Sequence, residues 1–122
     1  MSDSNVINIS DIPVGGDNPL TFILGPCQLE NRDHAMFMAE KISKLCAPSS
    51  SNFIFKSSFD KANRSSIASA RGVGIEEGLR ILEEIKLTFN CPVITDIHTV
   101  SQCVTASEVV DVLQIPAFLS RQ

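Results

Sequence analysis

The amino-acid sequence predicts an α/β fold organised on a parallel sheet, and three observations lead there. Four short runs of strand-forming residues alternate with segments whose apolar residues recur at helical spacing, in the order strand, helix, strand, helix, strand, helix, strand. Gly25-Pro26, Pro48 with its serines, Pro92 and Pro116 punctuate these runs. Each run also delivers polar residues of distinctive chemistry at its carboxyl end, where α/β sheets place their sites. At 122 residues, 43% hydrophobic and 20% charged, the chain suits one globular domain with a buried core.

Taken in order, Val6 to Val14 alternates weakly and runs into Gly15-Gly16-Asp17, a turn signal that predicts a small N-terminal hairpin. Leu20–Leu24 (LTFIL) reads as a buried strand stopped by Gly25 and Pro26. Asn31 is placed to cap a helix from about Arg32 to Leu45, with Ala35, Met38, Ala39, Ile42 and Leu45 on its inner face. Phe53 to Phe55 opens a second strand. Ile75, Leu79, Leu82, Ile85 and Phe89 then mark one face of a second helix, whose other face carries Glu76, Glu77, Arg80, Glu83 and Glu84. PVITDI (92–97) is the third strand. Thr99 with Gln102 three residues later forms a capping-box signature for a short helix through about Glu108. Val109 to Ile115 (VVDVLQI) is the fourth strand.

Two architectures repeat strands and helices in this way. An open doubly wound sheet usually carries a Gly-rich phosphate loop after its first strand, and GPCQLE is not G-x-G-x-x-G. A (β/α)8 TIM barrel takes about 250 residues, roughly 30 per unit, so this length holds about four of its eight strands. The sequence stops at AFLSRQ, after a strand and before any covering helix. The expected fold is therefore the N-terminal part of a TIM barrel, about four βα units over 18–122, preceded by a hairpin or extension over 1–17, with the C-terminal half outside the sequence.

Composition excludes several functions. No apolar run approaches the roughly 20 residues that span a bilayer, and the start lacks a secretion signal, so a cytoplasmic protein without membrane partners is expected. A formal net charge of −4, with no basic stripe interleaved with aromatics, argues against nucleic acid. Cys27, Cys46, Cys91 and Cys103 include no C-x-x-C pair, which argues against a self-contained zinc knuckle or a disulfide framework.

Against that acidic background, FKSSFDKANRSS (55–66) and the residues to Gly72 hold four bases, Lys56, Lys61, Arg64 and Arg71, and one acid, Asp60. Lysine point charges, an arginine fork and the Ser58, Ser65 and Ser66 hydroxyls suit two anionic groups, and a solvated loop with ordinary surface bases is the alternative. Cys27 is either an inert thiol or one ligand of a metal that needs partners from elsewhere. Asp96 and His98 in TDIH are candidate reacting-centre residues, against a plain polar helix start for His98, and His34 reads as surface. Gln114 lies between Leu113 and Ile115, where an amide must find partners.

FKSSFDKANRSS, with RGVGIEEGL behind it, GPCQLE before it, and TDIH and VDVLQIPAFLSRQ after it, closely resembles the 2-dehydro-3-deoxyphosphooctonate aldolases, also called 3-deoxy-D-manno-octulosonate 8-phosphate synthases. The resemblance runs from about Ile7 to Gln122. The related synthases of seven-carbon sugar acids are similar in fold but carry Lys-Pro-Arg-Thr where this chain has Lys61 to Ser65. The resemblance implies a homotetrameric TIM barrel that condenses phosphoenolpyruvate with D-arabinose 5-phosphate and releases phosphate, on the route to the lipopolysaccharide of Gram-negative bacteria. It assigns Lys56, Ser58, Lys61 and Gln114 to phosphoenolpyruvate, and Asn63, Arg64 and Ser65 to arabinose 5-phosphate, Arg64 and Ser65 reaching its phosphate from a neighbouring subunit. It places Asp96 and His98 at the reacting centre. Cysteine at position 27 resembles the metal-dependent class, which implies a divalent ion such as iron, zinc or manganese with a His, a Glu and an Asp from the later half.

The implied chemistry adds water to carbon 2 of phosphoenolpyruvate while carbon 3 attacks the pentose aldehyde. Lysine and arginine would offset the repulsion between two anionic substrates held together. The competing expectations are a related seven-carbon sugar-acid synthase, and a truncated, non-catalytic remnant or phosphosugar-binding module, whose open strand edge and uncovered interior favour aggregation.

Overall fold

The computed structural model describes residues 5–49, 51–60 and 72–121. A hairpin of β1 (Ile7–Ile9) and β2 (Ile12–Val14) comes first, pairing Ile7 with Val14 and Ile9 with Ile12. Its turn falls at Ser10-Asp11, not at the glycines. Ser10 takes the left-handed conformation there, at φ 52°, and Gly15 and Gly16 lead the chain out.

The main sheet follows: β3 (Thr21–Leu24), α1 (Arg32–Cys46), a single 3-10 turn (Ala47–Ser49), β4 (Asn52–Lys56), α2 (Ile75–Phe89), β5 (Val93–Asp96), α3 (Val100–Ser107) and β6 (Val112–Gln114). All three strand pairs are parallel, and the spatial order β3-β4-β5-β6 is the chain order. The predicted alternation is present in full. No helix among the described residues is long and apolar enough to cross a membrane.

Each helix begins and packs for identifiable reasons. The Asn31 side chain accepts from the His34 amide at 2.8 Å and caps α1. Ala35, Ala39, Ile42 and Cys46 form its buried stripe, so Leu45, expected inside, is 78% exposed. The true stripe steps by four, three and four and passes through Cys46. In α2, Leu79, Leu82 and Ile85 are buried and Ile75 and Phe89 pack against the same core, as expected, with Gly78 and Ile81 also inside. Gly78 is required: a Cβ there would stand 2.4 Å from the Cβ of Phe59. Arg80 pairs with Glu77 at 2.9 Å, not with Glu76. Arg32 grips Glu84 across the α1–α2 contact, and that hydrogen bond holds the Glu84 carboxyl below its ordinary range.

One apolar cluster joins residues of all three helices to Phe53, Phe55 and Val93. Because side chains alternate across a strand, Ile54 and Ile94 face the other way. The helices therefore cover one face, as in a barrel wall. Two strand expectations are corrected here. Among the described residues β3, expected to be buried, is an edge strand: Ile23 is 52% exposed, and Phe22 and Leu24 are also open to solvent. Local composition reports that a strand is apolar, whereas its burial depends on a second neighbour, and among the described residues β3 has only β4. The last strand begins at Val112 instead of Val109, because the amides of Val109 and Val110 both turn back to the Ala106 carbonyl and finish the helix end.

Candidate active site

The register that builds the sheet also gathers the site. Lys56, Asp96 and Gln114 are the last residues of β4, β5 and β6. Asp96 pairs with Gln114, and Lys56 pairs with Ile94, so all three residues lie on the face turned away from the helices.

Asp96 is 5% exposed, and a buried carboxylate must be partnered. The Ser58 hydroxyl, itself fully buried, donates to Oδ1. The Nε2 atom of His98 lies 3.0 Å from Oδ2. The His98 ring sits between Phe59 and Phe118, at centroid distances of 6.4 and 6.2 Å, and its Nδ1 is 3.9 Å from Asp60 Oδ2. Four expected residues, Ser58, Asp96, His98 and Gln114, are thus brought to one end of the sheet, with Lys56 beside them. Lys61, Asn63, Arg64 and Ser65 lie outside the described residues.

The loop that follows β3 is tied to β4. The Ser57 hydroxyl donates to the Pro26 carbonyl at 2.8 Å, the Ser58 amide donates to the Cys27 carbonyl at 3.3 Å, and the Leu29 amide donates to the Ser58 carbonyl at 2.8 Å. The Thr95 hydroxyl donates in turn to the Ser57 carbonyl at 2.8 Å. Gly25 permits the approach, since a Cβ there would be 1.8 Å from the Lys56 carbonyl oxygen. Cys27 is held in this loop as an exposed free thiol. Its donor chemistry fits one position of a metal shell, but among the described residues no group of three His, Cys, Asp or Glu is placed to hold an ion.

Ser57, Thr95 and Gln102 were not among the expected site residues. Ser57 and Thr95 are fully buried polar residues on neighbouring segments, a signal visible only once the strands are paired. Gln102 was legible as part of a capping box, but its target was not. Its amide donates to Thr99 Oγ1 at 3.3 Å, while its side-chain Oε1 accepts from the His98 amide at 2.7 Å.

Among the described residues, the opposite end of the sheet carries polar groups but no carboxylate–imidazole pair. A cavity of about 340 Å³ there is lined by Ser10, Asp11, Asn52, Lys86, Asn90 and Cys91 among others. Its lysine is engaged by Asp111 and by the Val109 carbonyl, both at 3.1 Å. Among the described residues, a lysine, a buried carboxylate–imidazole pair and an amide converge at the carboxyl ends alone. Together they can hold an anion and pass a proton at the His98–Asp96 contact.

Parallel strands in chain order, helices on one face and polar chemistry at the carboxyl ends define the class: this is the N-terminal part of a (β/α)8 barrel of the DAHP-synthase type. An open doubly wound sheet would reverse its strand order. The chain belongs to the DAHP synthetase I family, whose sequence model matches residues 3–122. It is 56% identical over 117 residues to the 2-dehydro-3-deoxyphosphooctonate aldolase of Rickettsia rickettsii (strain Sheila Smith), covering 96% of this chain and 43% of that protein. The aldolase of the same name from Rickettsia prowazekii (strain Madrid E) is 56% identical, with 96% and 42% covered. That of Rickettsia bellii (strain OSU 85-389) is 54% identical, with 96% and 43% covered. The chain thus spans less than half the length of these curated relatives.

Proposed function

We propose that this chain is the N-terminal half of a cytoplasmic synthase that condenses phosphoenolpyruvate with D-arabinose 5-phosphate and water, giving 3-deoxy-D-manno-octulosonate 8-phosphate and inorganic phosphate for lipopolysaccharide in a Gram-negative bacterium. The observation that carries it is the meeting of Lys56, Ser58, Asp96, His98 and Gln114 at one end of the sheet, in a chain similar to aldolases of that name.

In this reading Lys56, Ser58, Lys61 and Gln114 hold phosphoenolpyruvate, and Asn63, Arg64 and Ser65 hold the pentose phosphate, Arg64 and Ser65 across a subunit boundary of a homotetramer. Asp96 and His98 stand at the reacting centre, where Asp96 orients the imidazole through Nε2 and leaves Nδ1 to hold or pass a proton. Phe59 and Phe118 limit the water around it. Cys27 supplies one ligand of a divalent metal, whose other ligands come from the later half. Bound there, the ion would supply Lewis-acid activation of water or of the aldehyde. The 122 residues alone are expected to be inactive, because half of the barrel wall is not in them.

The test is phosphate release by the full-length protein. Release only when both substrates are present supports the proposal. Release with erythrose 4-phosphate in place of arabinose 5-phosphate would assign the chain to the seven-carbon sugar-acid synthases, and binding without turnover would assign it to the non-catalytic reading.

A further inference from the structure

We infer that Gln102 is a positioning residue for the proposed reaction: its side chain fixes the main chain at His98, so that the imidazole stays on Asp96. The inference rests on the functional reading of His98 above and deepens it.

The imidazole hangs from the chain two residues beyond Asp96. Among the described residues its ring makes one hydrogen bond, from Nε2 to Asp96 Oδ2 at 3.0 Å; Nδ1, at 3.9 Å from Asp60 Oδ2, is beyond hydrogen-bond reach of that carboxylate. A ring held by one hydrogen bond and two aromatic neighbours takes the rest of its orientation from the backbone that carries it. Two hydrogen bonds tie that backbone to the described residues around it. The Ile97 amide donates to the Gln114 carbonyl at 3.0 Å, and the His98 amide donates to Gln102 Oε1 at 2.7 Å.

Gln102 lies in the first turn of α3, whose helical backbone positions it, and its amide also donates to Thr99 Oγ1 at 3.3 Å. A capping box serving only the helix returns its Glu or Gln side chain to the amide of the N-cap residue. Here the N-cap is Thr99, and the glutamine reaches one residue further back, to the residue that bears the imidazole. A helix end built for stability alone would not need that extra reach. The geometry therefore links the first turn of α3 to the reacting centre through one side-chain oxygen.

The experiment uses the full-length protein with phosphoenolpyruvate and arabinose 5-phosphate, comparing Gln102→Leu, Gln102→Glu, Thr99→Ala and His98→Ala. Gln102→Leu removes the acceptor while its own amide can still bond Thr99. A misplacement of about 1 Å in an active site costs up to roughly 10²-fold, so kcat should fall about tenfold or more. KM for both substrates should stay within about twofold, the split expected when orientation rather than binding is lost. Gln102→Glu keeps the acceptor oxygen and should recover most of kcat. Thr99→Ala weakens the helix start but leaves the Gln102–His98 bond, so it should lower the thermal midpoint without a comparable loss of kcat.

Wild-type kcat in Gln102→Leu overturns the inference, as does an equal kcat loss in Thr99→Ala or a failure of Gln102→Glu to rescue. Full activity in His98→Ala overturns the functional reading of His98 and the inference with it. Inactive His98→Ala beside unimpaired Gln102→Leu removes the inference alone.

Discussion

Ser58 and Asp96 are 38 positions apart in sequence and joined by a buried hydrogen bond, the serine hydroxyl donating to one carboxylate oxygen while His98 occupies the other. Ser58→Ala would leave that oxygen desolvated without a donor. The expected cost is about 1–3 kcal/mol of stability, with a fall in kcat, read from urea unfolding and turnover of the full-length protein. An unchanged unfolding midpoint would show that the bond contributes nothing.

Asp96→Asn keeps the shape of the side chain but removes the charge that faces the imidazole. We expect kcat to fall by about 10²-fold or more, the range attributed to a positioned acid–base pair, with a smaller change in stability. Near-normal turnover would exclude the pair from proton transfer.

Gly25→Ala introduces a Cβ that would lie 1.8 Å from the Lys56 carbonyl oxygen, so one strand end must move. Forced displacement of this kind costs about 1–3 kcal/mol. The shift falls between Cys27 and Lys56, so on the proposed function KM for phosphoenolpyruvate should rise together with the loss of thermal stability. Stability lost with KM unchanged would separate this corner from the substrate site.

The cysteines should differ sharply in reactivity. Cys27 is exposed, whereas Cys91 is buried, and burial, reinforced by the nearby Asp111 carboxylate, pushes its thiol up to about 11. A maleimide should label Cys27 in the native full-length protein and reach Cys91 only after unfolding. On the proposed function, preloading with zinc should slow labelling at Cys27, since a coordinated thiolate is not free to react; equal rates with and without metal would remove Cys27 from the proposed metal shell.

The raised Cys91 thiol also predicts a pH dependence. The unfolded chain releases this proton near 9, the folded chain near 11. Between those values the folded state binds more protons than the unfolded one, so stability falls as pH rises through the window and this group adds no change below it. Cys91→Ala should flatten that part of the profile, measured as urea midpoints across the window. A parallel decline in the variant would assign the loss to other groups.

Much of this fold was legible in the residues because helices announce themselves locally. The stripe of α2 and the caps at Asn31 and Thr99 follow from spacing and side-chain chemistry a few residues apart. What was missed needed partners far along the chain. The exposure of β3 depends on which strands flank it, and Leu45 lost its inner place to Cys46 through the phase of a helix whose neighbours are not adjacent in sequence. The hairpin turn went to Ser10-Asp11 because pairing Ile7 with Val14 leaves Gly15 and Gly16 beyond the strands. At the site, the residue types were readable one by one, but the links from Ser58 to Asp96 and from Ser57 to Pro26 exist only across the sheet.

The alternation within β4 makes chemistry a question of odd and even. Asn52, Ile54 and Lys56 share one face, and Phe53 and Phe55 the other. Deleting a single residue before Lys56, with the register below it kept, would rotate the ammonium into the helix layer and send an aromatic ring towards the face that carries Asp96 and Gln114. A change in the number of residues in β4 would therefore cost the site as much as the loss of Lys56 itself.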